Sequence, residues 1–219
     1  MQRLIEGLHN FQRNIFRSQK EFFENLAHGQ TPETLFITCS DSRINPNLIT
    51  QTDPGELFIM RNAGNIVPPY SCLGGEAATI EYAVAVLGVK DVLVCGHSHC
   101  GAMESLFVPP RPHTLPAVTA WLRHADATKK LVDENYSDLD DAAKISVAMQ
   151  ENVLVQLEHL RSHPSVAEAI AYRGLRLHGW VYKIESGEVF TYDPGTRQFQ
   201  AYPKSRPSMF PVSGAVKVI

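Results

Sequence analysis

Apolar and polar positions along this chain follow two different periods, and the changes of period mark out its elements. Leu4, Leu8, Phe11 and Ile15 recur at three- and four-residue spacing, with Ile5, Phe16 and Phe22 nearby. That spacing predicts an amphipathic helix ending near Gly29. Its apolar side is wide for a surface helix, a shape that suits a second subunit and the chain's own core equally well. Short apolar runs of strand type follow at 34–39, 56–61 and 91–96. Between the second and third, residues 76–87 are rich in Ala and apolar side chains, and Gly88 closes them as a helix C-cap would. Further helices are predicted near 117–131, through the stripe Ile145, Met149, Val153, Leu157 and Leu160, and over 165–172, the last two divided by His163-Pro164. Residues 175–184 and 188–192 read as strands of a hairpin around Glu185-Ser186-Gly187.

The connections carry their own punctuation. Gln30-Thr31-Pro32 turns the chain into the first strand, and Asn45-Pro46 prevents the following turn from continuing directly as helix. Asp53-Pro54-Gly55 is a turn signal, and 66–75, with Pro68, Pro69 and Gly74-Gly75, reads as a loop. Pro109, Pro110, Pro112 and Pro116 mark a long connection, and the prolines at 203, 207 and 211 predict an irregular tail over 194–219. Alternating strands and helices predict one α/β domain over 1–219: a mainly parallel central sheet flanked by helices, an antiparallel C-terminal edge and an N-terminal helical arm over 1–29.

Composition narrows the class without naming a function. A chain of 219 residues can bury a sizeable core, and its 44% apolar and 20% charged content is ordinary for a globular protein. A formal net charge of −3 with no long basic run argues against a nucleic-acid partner. No apolar stretch approaches the roughly 18 residues that span a bilayer, which argues against a membrane. The first residues interrupt their apolar positions with Arg, Glu and Gln, unlike a secretory signal. Four cysteines, at 39, 72, 95 and 100, are too few for a disulfide scaffold, so a reducing cytoplasm is expected.

The candidate chemistry lies where two of the strands end. Leu35-Phe36-Ile37-Thr38 stops on Cys39, with Asp41 two residues later and Arg43 four residues later. The run 91–95 leads into Gly96-His97-Ser98-His99-Cys100-Gly101. Open α/β sheets place their chemistry at the carboxyl ends of strands, and Cys39, Cys100 and a histidine would give the three protein ligands of a catalytic zinc site with one position open. Spacing alone does not choose between His97 and His99, although His99, adjacent to Cys100, is the harder of the two to bring onto the same ion. Asp41 could accept a hydrogen bond from a metal-bound hydroxide or could itself occupy the open position. Arg43 could hold it in the first role through a bidentate pair.

CSDSR at 39–43, RNAGN at 61–65 and GHSHCGA at 96–102 together resemble the β-class carbonic anhydrases, and the resemblance runs from about residue 5 to about residue 200. It is greatest to the bacterial members that accompany cyanate degradation. The resemblance implies Zn2+ on Cys39, His97 and Cys100, with Asp41 and Arg43 as the catalytic pair. The implied reaction is reversible hydration of carbon dioxide to bicarbonate and a proton, by attack of zinc-bound hydroxide on CO2. It also implies a substrate pocket from Gln30, Phe58, Tyr82 and Gly101, and a homodimer or homotetramer in which Gln30 faces Phe58 and Tyr82 across a two-fold interface. Members with a non-catalytic bicarbonate pocket usually carry Trp three residues before the first Cys ligand. Phe36 stands there, so the resemblance does not extend to that pocket.

Three other readings fit less well. A cysteine phosphatase needs Arg six residues after its Cys, where Asn45 stands. A thiol oxidoreductase needs a C-x-x-C, and Cys95 and Cys100 are five apart. A non-enzymatic zinc-stabilised module would need a fourth firm ligand, a part Asp41 could fill.

Overall fold

The computed structural model describes residues 1–108 and 115–202. The expected connection at Pro109, Pro110 and Pro112, and the tail beyond Tyr202, lie outside them. The N-terminal arm is helical, but in pieces: α1 (Gln2–Asn10) continues through a π turn (Phe11–Ile15) and one more helical turn (Phe16–Ser18). Gln19 then leaves helical geometry before α2 (Lys20–Leu26). None of these residues is buried against the rest of the chain. Phe11, Phe16 and Phe23 pack instead on one another, with ring centroids 5.3 Å to 6.3 Å apart.

The remaining elements are β1 (Thr34–Cys39), α3 (Pro46–Thr50), β2 (Leu57–Asn62), α4 (Gly75–Glu81), β3 (Asp91–His97), α5 (Gly101–Phe107) and α6 (Pro116–Leu122). They continue with α7 (Asp126–Asn135), α8 (Asp141–Arg161), α9 (Pro164–Arg173), β4 (Arg176–Tyr182), β5 (Val189–Asp193) and β6 (Gln198–Ala201). The strands form one sheet in the order β2-β1-β3-β4-β5-β6, parallel from β2 to β4 and antiparallel from there outward. This is the expected mainly parallel sheet with an antiparallel C-terminal edge. Because the chain steps from β1 to one side and returns to its other side, the carboxyl ends of β1 and β3 flank a topological switch point.

One sheet face carries Leu35, Ile37, Val92 and Val94 against Val153, Leu157 and Leu160 of α8. Gly179 of β4 lets that helix close in, since a Cβ there would lie 2.9 Å from Val153 Cγ1. The opposite face buries Phe36, Leu93 and Cys95 beside Trp180 and Tyr182. Among the described residues no helix is long and apolar enough to cross a membrane.

Several expectations need correction. The helix expected near 117–131 is two helices, α6 and α7, joined by a 3-10 turn (Arg123–Ala125) that keeps Leu122 and Ala125 inside the core. The tail expected to be irregular from Pro194 contributes β6. Asp193 makes the turn that returns the chain, its Oδ1 accepting from Gly195 N–H at 2.8 Å and its Oδ2 from Thr196 Oγ at 3.0 Å. Asn45 does more than separate elements: its side chain accepts from Leu48 N–H and starts the short helix α3. Cys100 is the N-cap of α5, one residue ahead of its first turn.

Candidate metal centre

The two halves of the candidate site meet as the strand register dictates. Cys39 is the last residue of β1, paired with Asn62 of β2, and β3 lies on its other side and ends on His97. The chain turns sharply at His99, with φ +57°, and Cys100 then points back as α5 begins. One donor atom from each of Cys39, His97 and Cys100 lies within 4.8 Å of the others, and all three residues are buried. Around them close Ile66, Met103, Leu106, Leu122 and Met149. That is a low-dielectric setting in which unpaired charge is costly.

The donor atoms are in states that suit a cation. His97 Nδ1 lies 2.8 Å from the Ser98 carbonyl; a carbonyl only accepts, so Nδ1 carries the proton and Nε2 keeps its lone pair. Nε2 is buried and, among the described residues, has no hydrogen-bond partner. The Cys39 and Cys100 sulfurs are 4.0 Å apart. Once one of the pair ionises it takes a hydrogen bond from the other, so Cys39 is held down to about 4 by the Cys100 thiol, against the effect of burial. Cys100 is pushed up, by that same bond and by its own burial. A cation among the three atoms removes this conflict and meets the orphaned nitrogen. Two thiolates with one imidazole suit a borderline-soft divalent ion.

The other candidate residues divide into those brought to this site and those held away. Asp41 stands outside the three-atom cluster. Its Oδ1 accepts from Arg43 N–H (2.9 Å) and Nε (3.0 Å), and its Oδ2 from Arg43 Nη2 (2.7 Å). Those bonds, led by the guanidinium, hold its carboxyl well below the usual carboxylate range. Arg43 also reaches the His99 carbonyl at 2.9 Å, tying together the loops that follow Cys39 and His97. His99 itself is exposed and lies 3.5 Å from Glu185. Gly101 opens α5 beside Cys100, and a Cβ there would meet nothing within 4 Å.

Phe58 and Tyr82 do meet, with ring centroids 6.0 Å apart. Phe58, however, is in register with Leu35, four residues before Cys39 along the sheet, about 13 Å away at the strand rise. Gln30 is exposed ahead of β1, at the same far end. His178 pairs with Asp91, which Arg176 also holds, at the sheet's other end. Cys95 is fully buried and burial pushes it up to about 12, and Cys72 is exposed.

Arg61 reaches further than its place in RNAGN suggests, donating from Nε to the Cys39 carbonyl (3.0 Å) and from Nη2 to the Asp41 carbonyl (2.8 Å). The Gly64 N–H, 3.3 Å from the Cys39 sulfur, is also part of the site. RNAGN at 61–65 carried both residues as part of the resemblance, without indicating that they bond to the backbone and sulfur of the Cys39 turn.

Comparison with known proteins agrees with this geometry. A family model described as carbonic anhydrase matches residues 34–189. The chain belongs to the β-carbonic anhydrases. It is 50% identical over 208 residues to a carbonic anhydrase of Synechocystis, covering 94% of this chain and 76% of that protein. It is 48% identical over 200 residues to one of Pseudomonas aeruginosa, covering 91% and 90%. Its fold superposes on the β-carbonic anhydrase CcaA with a TM-score of 0.89 at 50% identity, covering 92% and 99%. A tetrameric β-carbonic anhydrase from Sordaria macrospora gives 0.79 at 32%, covering 87% and 95%. The protein is thus an enzyme of a family whose general reaction is carbon dioxide hydration.

The Asp41–Arg43 pair gives a test that needs no metal. Its folded-state carboxyl titrates below the unfolded value, so the pair adds stability above about pH 4 and loses it as pH falls. Arg43→Ala should move the Asp41 midpoint upward, read by carboxyl NMR titration of the metal-free protein. An unmoved midpoint would contradict the assigned cause.

Proposed function

We propose that Cys39, His97 and Cys100 hold a zinc ion at which the enzyme converts carbon dioxide and water reversibly to bicarbonate and a proton. The observation that carries this reading is the buried Nε2 of His97, without a hydrogen-bond partner among the described residues, grouped with two thiol sulfurs. A bound zinc ion supplies Lewis acidity, lowering the pKa of a coordinated water toward about 7. Asp41 and Arg43 complete the proposed site. Arg43 occupies Asp41 from one side and draws it off the three donor atoms, which favours an open fourth position over a closed structural site. Kept ionised, Asp41 can only accept hydrogen bonds, so it would orient a reacting water by accepting a hydrogen bond from it. Arg61 holds the backbone on either side of Ser40 and so fixes where Asp41 starts.

Carbon dioxide is uncharged and a poor hydrogen-bonding partner, so its pocket should be small and apolar. Phe58, Tyr82 and Gln30 suit that pocket, with Gly101 leaving room beside Cys100, yet the first three lie a strand's length from their own chain's sulfurs. A second copy resolves this: in an isologous dimer each chain lends these residues to the other's site. The exposed arm supports such a partner, with Leu4 at 69% and Leu8 at 54% of full exposure. A tetramer, as named for the Sordaria relative, would need a second contact. Thiolate ligands also require reducing surroundings, which supports a cytoplasmic setting.

Cys39→Ser, His97→Ala and Cys100→Ser should each lose most bound zinc and nearly all hydration, measured by metal analysis and stopped-flow assay. Near-wild-type zinc and rate in any one would remove that residue from the ligand set. For the shared site, Phe11→Asp or Ile15→Asp should lower the rate in proportion to dissociation while zinc stays bound, with light-scattering mass followed over a dilution series. A zinc-loaded monomer with full activity would contradict it.

A further inference from the structure

We propose that Asn152 and Trp121 are positioning residues for the metal centre, acting through the backbone of the 63–67 loop. The proposal rests on the metal site assigned to Cys39, His97 and Cys100. That loop places a backbone N–H on a ligand sulfur, Gly64 N–H to Cys39 Sγ at 3.3 Å; the N–H groups of Asp41 on Cys39 and of Ala102 and Met103 on Cys100 also favour the thiolates. Nothing regular holds it. Gly64 and Asn65 both have positive φ, +84° and +48°, and two successive left-handed residues have no helix or strand ladder to fix them.

The Asn62 side chain brackets its far end, donating to the Ile66 carbonyl and accepting from the Ile66 N–H, both at 2.8 Å, and the Ala63 and Gly64 carbonyls are held by side chains from distant helices. Trp121 Nε1 donates to the Ala63 carbonyl at 2.8 Å. That carbonyl belongs to the same peptide group as the Gly64 N–H, so a donor at one end polarises the amide that donates to sulfur at the other. Asn152 Nδ2 donates to the carbonyl of the next peptide, Gly64 O, at 3.0 Å. The Val67 N–H donates to Gln156 Oε1 at 2.8 Å. Asn152 is itself fixed, its Oδ1 accepting from Thr128 Oγ at 3.2 Å and from Gln156 Nε2 at 2.8 Å.

Thr128, Asn152 and Gln156 are all buried, at 0%, 1% and 0% exposure. Buried polar side chains on an otherwise apolar helix face weaken a fold unless every group is paired. Here the bonds run to the loop or to the groups that orient Asn152. From the far side Gly64 is pressed against α5: a Cβ would lie 2.9 Å from Ala102 Cβ, two residues past Cys100. The N–H therefore cannot drift from sulfur without breaking a bond or colliding with the helix that starts at the second thiolate. Partners of this kind, one step out from the ligands, tune a metal's retention and its ligands' electron donation.

The test uses the full-length protein loaded with zinc, and separately with cobalt, as wild type, Asn152→Leu and Trp121→Phe. The second variant keeps an aromatic ring and removes only the donor, so it reports even if the first fails to fold. Leu160→Ala, buried on the same helix with no bond to the loop, controls for lost stability. Both loop variants should release zinc to a chelator faster, by about 10- to 100-fold. Both should also move the thiolate-to-cobalt charge-transfer band to lower energy, because a sulfur without its N–H donor is the stronger electron donor. Leu160→Ala should change thermal stability and leave the band in place. A wild-type band and release rate in Trp121→Phe, or release rates that track stability across all variants, would overturn the proposal. No thiolate band in the wild type would overturn the metal assignment with it.

Discussion

Two sulfurs 4.0 Å apart and a bare imidazole nitrogen, closed in by apolar side chains, form an arrangement that the protein alone cannot satisfy. Ionising one thiol raises the cost of ionising the other, and the buried nitrogen finds no hydrogen-bond donor among the described residues. A divalent cation meets all three needs together. The surrounding structure is ordered around bringing those atoms together and keeping Asp41 apart from them.

The sheet does most of this work. Cys39 and His97 end neighbouring parallel strands, so their separation is set by backbone pairing and not by flexible loops. The parts that are not strand are fastened individually. Arg61 holds the turn after β1, Arg43 joins it to the His99 carbonyl, and Asn152 and Trp121 hold the loop after β2. A site of this kind is preorganised: Asp41 and the donor atoms are placed before any substrate arrives, and little rearrangement remains for the reaction step.

The sequence made the strand ends and their thiols legible because parallel buried strands read as continuous apolar runs, and because Cys-x-Asp-x-Arg and His-x-x-Cys are compact. It left the histidine open, since residues 97 and 99 are both close to Cys100. The backbone decides between them: His97 still belongs to β3 and points inward, whereas the left-handed turn at His99 sends that ring to Glu185. Asn152 and Gln156 were invisible for a different reason. They sit one position before Val153 and Leu157 and look like the solvent side of an apolar stripe, while their partners Gly64 and Val67 lie 88 and 89 residues away. Strand β6 is short and precedes a proline-rich tail, so its pattern reads as irregular, although Asp193-Pro194-Gly195 is a usable turn signal. The proposed relation of Gln30 to Phe58 and Tyr82 has no local signature at all, since it would depend on a second chain.

We propose that three protein ligands hold zinc and that a fourth position stays open to small molecules. X-ray absorption of the zinc-loaded protein, with and without added bromide, tests it most directly. The account predicts two sulfurs at about 2.3 Å, an imidazole nitrogen at about 2.0–2.1 Å, and a light fourth scatterer that bromide displaces. A shell of four protein ligands unchanged by bromide, or one with fewer than two sulfurs, would contradict it.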